Sequence, residues 1–198
     1  MPKKEIFVHP TAIVENGAEI GDGTKIWHHV HVRRDAKLGK NCVLGKGVYV
    51  GEGVKIGDNV KIENYVSVYK GVTIENNVFI GPHVTFTNDL YPRIERFEKW
   101  KVAKTVVMKG ASIGANSVIS CNITLGRYCF VGIGSTVTKN VPDHALVYGN
   151  PARIHGYTCF CGKILDNLQE KADLLVAICK KCGKKVEIKA NDQDKSFG

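Results

Sequence analysis

Long apolar runs are missing from this 198-residue chain: nowhere do about 18 apolar residues follow one another, so no segment reads as a membrane-crossing helix. The lysines near the N-terminus, Lys3 and Lys4, are not followed by the apolar stretch of about 7 to 15 residues that marks a secretory leader. Seven cysteines without such a leader point to reduced thiols or a metal site rather than a disulfide framework, and the expectation is a cytoplasmic protein with no membrane partner. The apolar spacing of three and four that an amphipathic helix needs is also missing. Net charge is +9, which suits nucleic acid, a membrane surface or a phosphorylated small molecule equally. The excess gathers in the C-terminal tail at Lys180, Lys181, Lys184, Lys185 and Lys189, while the long middle mixes both signs as a solvated surface does. That tail lacks the aromatic series on which bases stack, which argues against nucleic acid.

What the chain has instead is a period of six. From Val8, every sixth residue is aliphatic through Val14, Ile20, Ile26, Val32, Leu38, Leu44, Val50, Ile56, Ile62, Val68, Ile74 and Ile80, and the register returns at Val107, Ile113, Ile119, Leu125, Val131 and Val137. If Ile, Leu and Val make up roughly a quarter of the chain, thirteen successes in a row have a chance probability on the order of 10⁻⁸. Four residues after each aliphatic comes a small or β-branched residue, from Ala12 and Ala18 to Val84, which also points inward. Three residues after it comes a turn former such as Gly17, Gly23, Asp35, Asn41, Gly53, Asn59 or Asn77, types that accept a left-handed backbone at little cost. Each hexad is thus a short strand and a corner. Three sides make a coil of about 18 residues, and coils stacked about 4.8 Å apart pair every strand with those above and below.

Departures from this rule single out candidate functional residues. Thr11, His29, Tyr65 and His83 replace the turn former, and all four fall on one edge at multiples of 18. His83 is expected about 5 Å from Tyr65, and His29 about 10 Å beyond Tyr65. Trp27, His28, His29 and His31 strengthen that side. One interruption, residues 86–106, is expected to leave the body beside His83, and a loop of that length in a compact solenoid is more often functional than accidental. It carries Asn88, whose amide can orient an amine, and Arg93, suited to a carboxylate or phosphate; His83 can accept a proton near neutral pH.

The runs Ile20-Gly21-Asp22-Gly23-Thr24, Ile56-Gly57-Asp58-Asn59-Val60 and Val131-Gly132-Ile133-Gly134-Ser135 resemble the hexapeptide-repeat transferase signature, over residues 8 to about 155. The resemblance, not the spacing, implies a left-handed parallel β-helix, an all-β triangular prism, assembled as a homotrimer with active sites between subunits. Phe86-Thr87-Asn88, Tyr91-Pro92-Arg93, Ile26-Trp27-His28 and Leu146 through Arg153 are similar to N-acetyltransferases acting on 3-amino sugars of nucleoside diphosphates, above all on UDP-2-acetamido-3-amino-2,3-dideoxyglucuronate. That implies acetyl-CoA-dependent N-acetylation of a nucleotide-linked amino sugar for cell-surface polysaccharide such as lipopolysaccharide, with Asn88 near the amine and His83 optional as base. Trp27, His28, His29, Tyr65 and Arg93 are the candidate acceptor-binding residues. Asn150, Pro151 and Arg153 lie in a run that this family places near coenzyme A, and Gly132 and Gly134 would allow close approach of its pantetheine arm. Acetylation of another small amine or alcohol is the alternative. A metal enzyme like the γ-class carbonic anhydrases uses a histidine pair five residues apart, and none of the seven histidines has that spacing.

Beyond the prism domain, 8–155, residues 156–190 form a separate expected unit. Cys159-Phe160-Cys161-Gly162 and Cys179-Lys180-Lys181-Cys182-Gly183, with seventeen residues between Cys161 and Cys179, suggest a small four-cysteine zinc-ribbon-like tail with a structural Zn²⁺. The first pair departs from the usual spacing of such knuckles. A closed four-thiolate site has no open position for catalysis, and a segment this short needs a staple to fold. Cys42 and Cys129 occupy inward positions of the repeat and read as inert core residues.

Overall fold

The computed structural model describes residues 4–95 and 99–189; residues 96–98 of the expected loop and residue 190 of the expected tail lie outside the described residues. The period-six rule becomes a left-handed β-helix whose strands are two or three residues long. Three parallel sheets form the sides, beginning with strands Phe7–Val8, Ile13–Val14 and Glu19–Ile20. Phe7 pairs with Lys25, Ile13 with His31 and Glu19 with Lys37, so one coil takes 18 residues. Among the described residues there is no helix, and hence none long and apolar enough to cross a membrane.

Both inward positions are buried as the repeat requires: Ile26, Val30, Val32, Ala36, Cys42 and Leu44 are fully enclosed, and the column continues through Val48, Val50 and Ile62 to Val84 and Phe86. Each enclosed Val, Leu or Ile contributes roughly 1.5–3 kcal/mol, repeated at two positions per hexad, which fixes the register coil after coil. Cys42 and Cys129 are core residues, and burial pushes both thiols up, away from reactivity.

The corners carry the cost of turning. Backbone at Asp35, Asn41, Asn59 and Asn77 has φ between 54° and 60°, the left-handed region that Asn, Asp and Gly tolerate. The loop departs at the corner after strand Thr85–Phe86, not beside His83. Thr85 and Phe86 first complete their pairing with Ser67 on one side and Val118–Ile119 on the other, so the chain is free to leave only one corner later. Phe79 pairs with Ser112, 33 residues on rather than 18, so the excursion adds 15 residues and the repeat resumes in register.

At the top, strand Ala145–Gly149 continues the first sheet and turns back as Ala152–Tyr157, its antiparallel partner. That second strand crosses the expected boundary at 155. A three-stranded antiparallel sheet follows, Gln169–Lys171, Leu174–Ile178 and Lys185–Lys189. Its buried Leu175, Ala177, Val186 and Ile188 share one apolar cluster with the prism core, so the tail is packed against the prism.

Candidate functional site

Thr11, His29, Gly47, Tyr65 and His83 stack on one corner as the 18-residue spacing requires. The N–H of Tyr65 donates to the Lys46 carbonyl and that of His83 to the Asn64 carbonyl, which ties successive coils together along this edge. His29, Tyr65 and His83 have φ of 57°, 58° and 60°, a conformation uncommon for large side chains, and residues so held cluster at functional sites. The rings of Tyr65 and His83 stack at 5.3 Å, close to the expected separation. Tyr65 lies over Gly47, where a Cβ would meet its ring carbons at 2.6 and 2.7 Å. Nearer the N-terminal end, Trp27 and His28 stack at 6.2 Å and His28 lies 3.5 Å from His9. Partial burial and the neighbouring His28 and His29 hold His9 below the ordinary imidazole value. Trp27, His28, Lys46, Lys61, Glu63 and Asn64 line a cleft of about 360 Å³ beside this corner.

Asn88 stands on the next corner, at the far end of the strand that begins after His83. Its Nδ2 donates to the Lys70 carbonyl at 3.2 Å, which leaves Oδ1 as the acceptor facing outward. His83 and Asn88 therefore share a coil but not a corner, and one chain does not bring them together. Arg93 lies in the excursion, its Nη1 donating to the Pro92 carbonyl at 3.2 Å.

Gly134 follows His83 and Asn116 up the first corner, with φ of 64° and nothing within 4 Å of an added Cβ. Gly132 has a reason inside the chain: a Cβ there would meet Tyr148 Cβ at 2.8 Å. Asn150 and Pro151 form the exposed tip of the closing hairpin, joined by a cis peptide bond. Arg153 pairs with Tyr148 across that hairpin, and Tyr148 stacks on His155 at 3.6 Å.

A second aromatic column, missed from the sequence, stands on the third corner. Tyr128 and His144 occupy the turn-former slots three residues after Leu125 and Val141, so the signal was present. Tyr128 lies over Gly110 and stacks on His144 at 5.4 Å. Phe160 packs edge-on against both rings, at 4.8 and 4.7 Å. The Thr158 N–H donates to the His144 carbonyl at 2.7 Å, and its hydroxyl donates to the Tyr128 carbonyl at 3.0 Å. This column docks the tail. Beside it the sulfurs of Cys159, Cys161, Cys179 and Cys182 all lie within 4.8 Å of one another. Burial pushes the Cys159 thiol up to about 12; Cys179, against its own burial, is brought down to about 6 by the N–H groups of Cys182 and Lys181 and by the neighbouring thiols.

Comparison with known proteins agrees with this geometry. The model of the bacterial transferase hexapeptide (six repeats) matches residues 35–70 and 53–88, and that of the hexapeptide repeat of succinyl-transferase matches 106–139. The chain is 46% identical over 179 residues, 90% of its own length and 89% of the relative's, to dTDP-3-amino-3,6-dideoxy-alpha-D-galactopyranose 3-N-acetyltransferase of Aneurinibacillus thermoaerophilus. Among solved structures it is similar to a hexapeptide-repeat acetyltransferase of Vibrio cholerae O1 biovar eltor complexed with acetyl coenzyme A, with a TM-score of 0.53 and 28% identity over 62% of this chain and 70% of that one. A hexapeptide transferase family protein of Anaplasma phagocytophilum has a TM-score of 0.54 and 18% identity over 78% and 80% of the two chains, a likeness of fold.

Proposed function

This chain belongs to the hexapeptide-repeat acetyltransferase family, and from that premise we propose that it moves the acetyl group of acetyl-CoA onto the amine of a nucleotide-linked 3-amino sugar. The observation that carries the reading is the 46% identity over nearly the whole of both chains to an enzyme named for that reaction on a dTDP-linked sugar. Such products serve as building units for cell-surface polysaccharides, and the enzyme works in the cytoplasm.

The active site is proposed to lie between subunits of a homotrimer. His83 and Asn88 sit at the same height on neighbouring corners, so parallel prisms related by a threefold axis can face the first corner of one subunit with the second corner of the next. The acceptor then lies between Asn88 and Arg93 of one chain and Trp27, His28, His29, Tyr65 and His83 of another. With Nδ2 committed to Lys70, Asn88 Oδ1 accepts an N–H of the sugar amine and aims the nitrogen lone pair at the thioester carbon. The C–N bond forms as the carbonyl becomes an oxyanion, and its collapse breaks the C–S bond. The amine proton passes to the departing thiolate or to His83. Asn150, Pro151 and Arg153 at the hairpin tip, with Gly134 on the first corner, are the proposed coenzyme A contacts, Arg153 facing a phosphate.

The tail cysteines fit a structural Zn²⁺. The Cys159–Cys182 and Cys161–Cys179 sulfur separations are 3.5 and 3.7 Å. A tetrahedron with Zn–S of about 2.3 Å has edges of about 3.8 Å, whereas a disulfide needs about 2.05 Å. Gly162 and Gly183 supply the left-handed turn after each pair. The metal would staple the tail and take no part in acetyl transfer.

Release of free thiol from acetyl-CoA, with UDP- and dTDP-linked 3-amino and 4-amino sugars offered in turn, tests the reading. Turnover with a 3-amino sugar is expected; silence across the panel by a folded protein that binds coenzyme A would overturn it. Asn88→Ala, with an intact fold, is expected to lose about 100-fold or more in turnover.

A further inference from the structure

The corner that carries Asn88 continues downward as a column at 18-residue spacing: Thr87, Tyr69, Gly51, Arg33 and Glu15, with Asn88, Lys70, Glu52 and Arg34 beside it. Gly51 is required by the backbone, since a Cβ there would meet Lys70 N at 2.5 Å. Its consequence is a gap between Tyr69 above and Arg33 below. Tyr49, projecting from the adjoining side, borders that gap, its ring 5.7 Å from Tyr69 and 5.8 Å from His31.

The strip is held in place by its own chain. Glu15 accepts from the Arg34 N–H at 2.9 Å, pairs with His31 Nε2 at 2.8 Å and pairs with Arg33 Nε at 2.6 Å. Arg33 Nη1 donates to the Tyr49 hydroxyl at 3.3 Å. The N–H of Arg34 first, then His31, hold the Glu15 carboxyl below its usual range, so it is a carboxylate at neutral pH and fixes the guanidinium plane. Lys70 and Arg34 flank Glu52 at 3.0 and 3.4 Å, which leaves two cations around one carboxylate on the outer edge. Tyr69 is 40% exposed, and the side chain of Arg33 about one third.

We propose that this strip seats the nucleoside diphosphate of the acceptor: the pyrimidine base in the gap at Gly51 against Tyr49 and Tyr69 with Arg33 donating to a base carbonyl, and the diphosphate beside Lys70 and Arg34. The inference rests on the proposed nucleotide-sugar reaction and gives it a direction. Asn88 to Arg33 spans three coils, about 14 Å, so an acceptor whose amine meets Asn88 runs down the corner with its base toward the N-terminal end. Aromatic faces take a base without regard to its ring substituents, and a guanidinium suits a carbonyl common to uracil and thymine.

Titration of the full-length protein with UDP, dTDP and coenzyme A tests this. Tyr69→Ala and Arg33→Gln are expected to weaken both nucleoside diphosphates about tenfold, the scale of one lost base–aromatic contact, while coenzyme A affinity holds. In steady state the acceptor KM rises about tenfold while kcat stays within a factor of about two, since the lost contact is uniform binding. Tyr69→Ala, at an exposed position with no side-chain hydrogen bond among those described, carries the test if Arg33→Gln fails to fold. Unchanged nucleotide affinity in Tyr69→Ala overturns the inference while leaving the reaction standing, and so does a loss of trimer mass without a loss of nucleotide affinity, which would make the strip a subunit contact. A wild type that binds coenzyme A but neither nucleotide overturns the nucleotide-sugar reading itself.

Discussion

Two corners of the prism carry the same device and use it differently. On the first, Gly47, Tyr65 and His83 follow one another up successive coils; on the third, Gly110, Tyr128 and His144 do so. In each the glycine makes room for the tyrosine ring, the tyrosine stacks on the histidine at 5.3 or 5.4 Å, and all three residues hold left-handed backbone. The third column is covered by Phe160 and Thr158 of the same chain, and His144 is 6% exposed. The first is open, Tyr65 46% exposed. A strained aromatic column is thus a docking element in either place. One has its partner in the chain and serves stability, while the other faces outward beside the proposed acceptor site.

Exchanging the histidines for alanine is the sharpest way to break this comparison. His83→Ala is expected to lower turnover up to about 100-fold with little change in melting, if the imidazole takes the proton. His144→Ala is expected to leave turnover intact and destabilise the tail by about 2 kcal/mol. Matching effects on turnover would make the columns equivalent, and full activity in His83→Ala would leave the proton to the coenzyme thiolate. Next, Cys159→Ser should release metal, measured by a chromophoric chelator, and speed hydrogen exchange over 157–189 while the prism strands keep their protection. Exchange rising throughout the prism would show that the tail supports the whole solenoid.

The glycines give a smaller difference. Gly110→Ala must meet Tyr128 ring carbons at 2.4 Å in a column that Phe160 has closed, whereas Tyr65 can swing away from Gly47 into open space. We expect about 3 kcal/mol for the first and about 1 kcal/mol for the second by thermal unfolding, the left-handed backbone costing something in both. Smallest is the effect of pH. Burial lowers the pKa of His144 from 6.5, against the Thr158 carbonyl and Asp143, which raise it. The unfolded chain therefore binds the proton first as pH falls, so the contribution of His144 is present above about pH 6.5 and is lost below it. His144→Gln should flatten that part of the stability profile, and an unchanged slope would assign it elsewhere.

The prism was legible because its rule is local. Inward positions at Val30, Val48 and Val66 and corners at Asp35 and Asn59 each follow from the hexad they belong to, and stacking adds only the 18-residue offset. The shared edge of His29, Tyr65 and His83 was readable for the same reason. Tyr128 and His144 obeyed that arithmetic as well, but nothing local distinguishes a column that will be covered from one that will stay open. The loop's exit corner was misjudged because it depends on Thr85–Phe86 being paired on both sides before the chain can leave.

By itself, then, the sequence determined the repeat, the coil length, the enclosed column and the two cysteine pairs, since each is set by residue type at fixed spacing. Only the tertiary structure decided that Phe160 closes the third corner, that His83 and Asn88 stand at opposite ends of one side, and that Gly51 opens a gap between Tyr69 and Arg33. Those outcomes depend on which surfaces meet, or fail to meet, once the coils are stacked, and no single hexad carries that information.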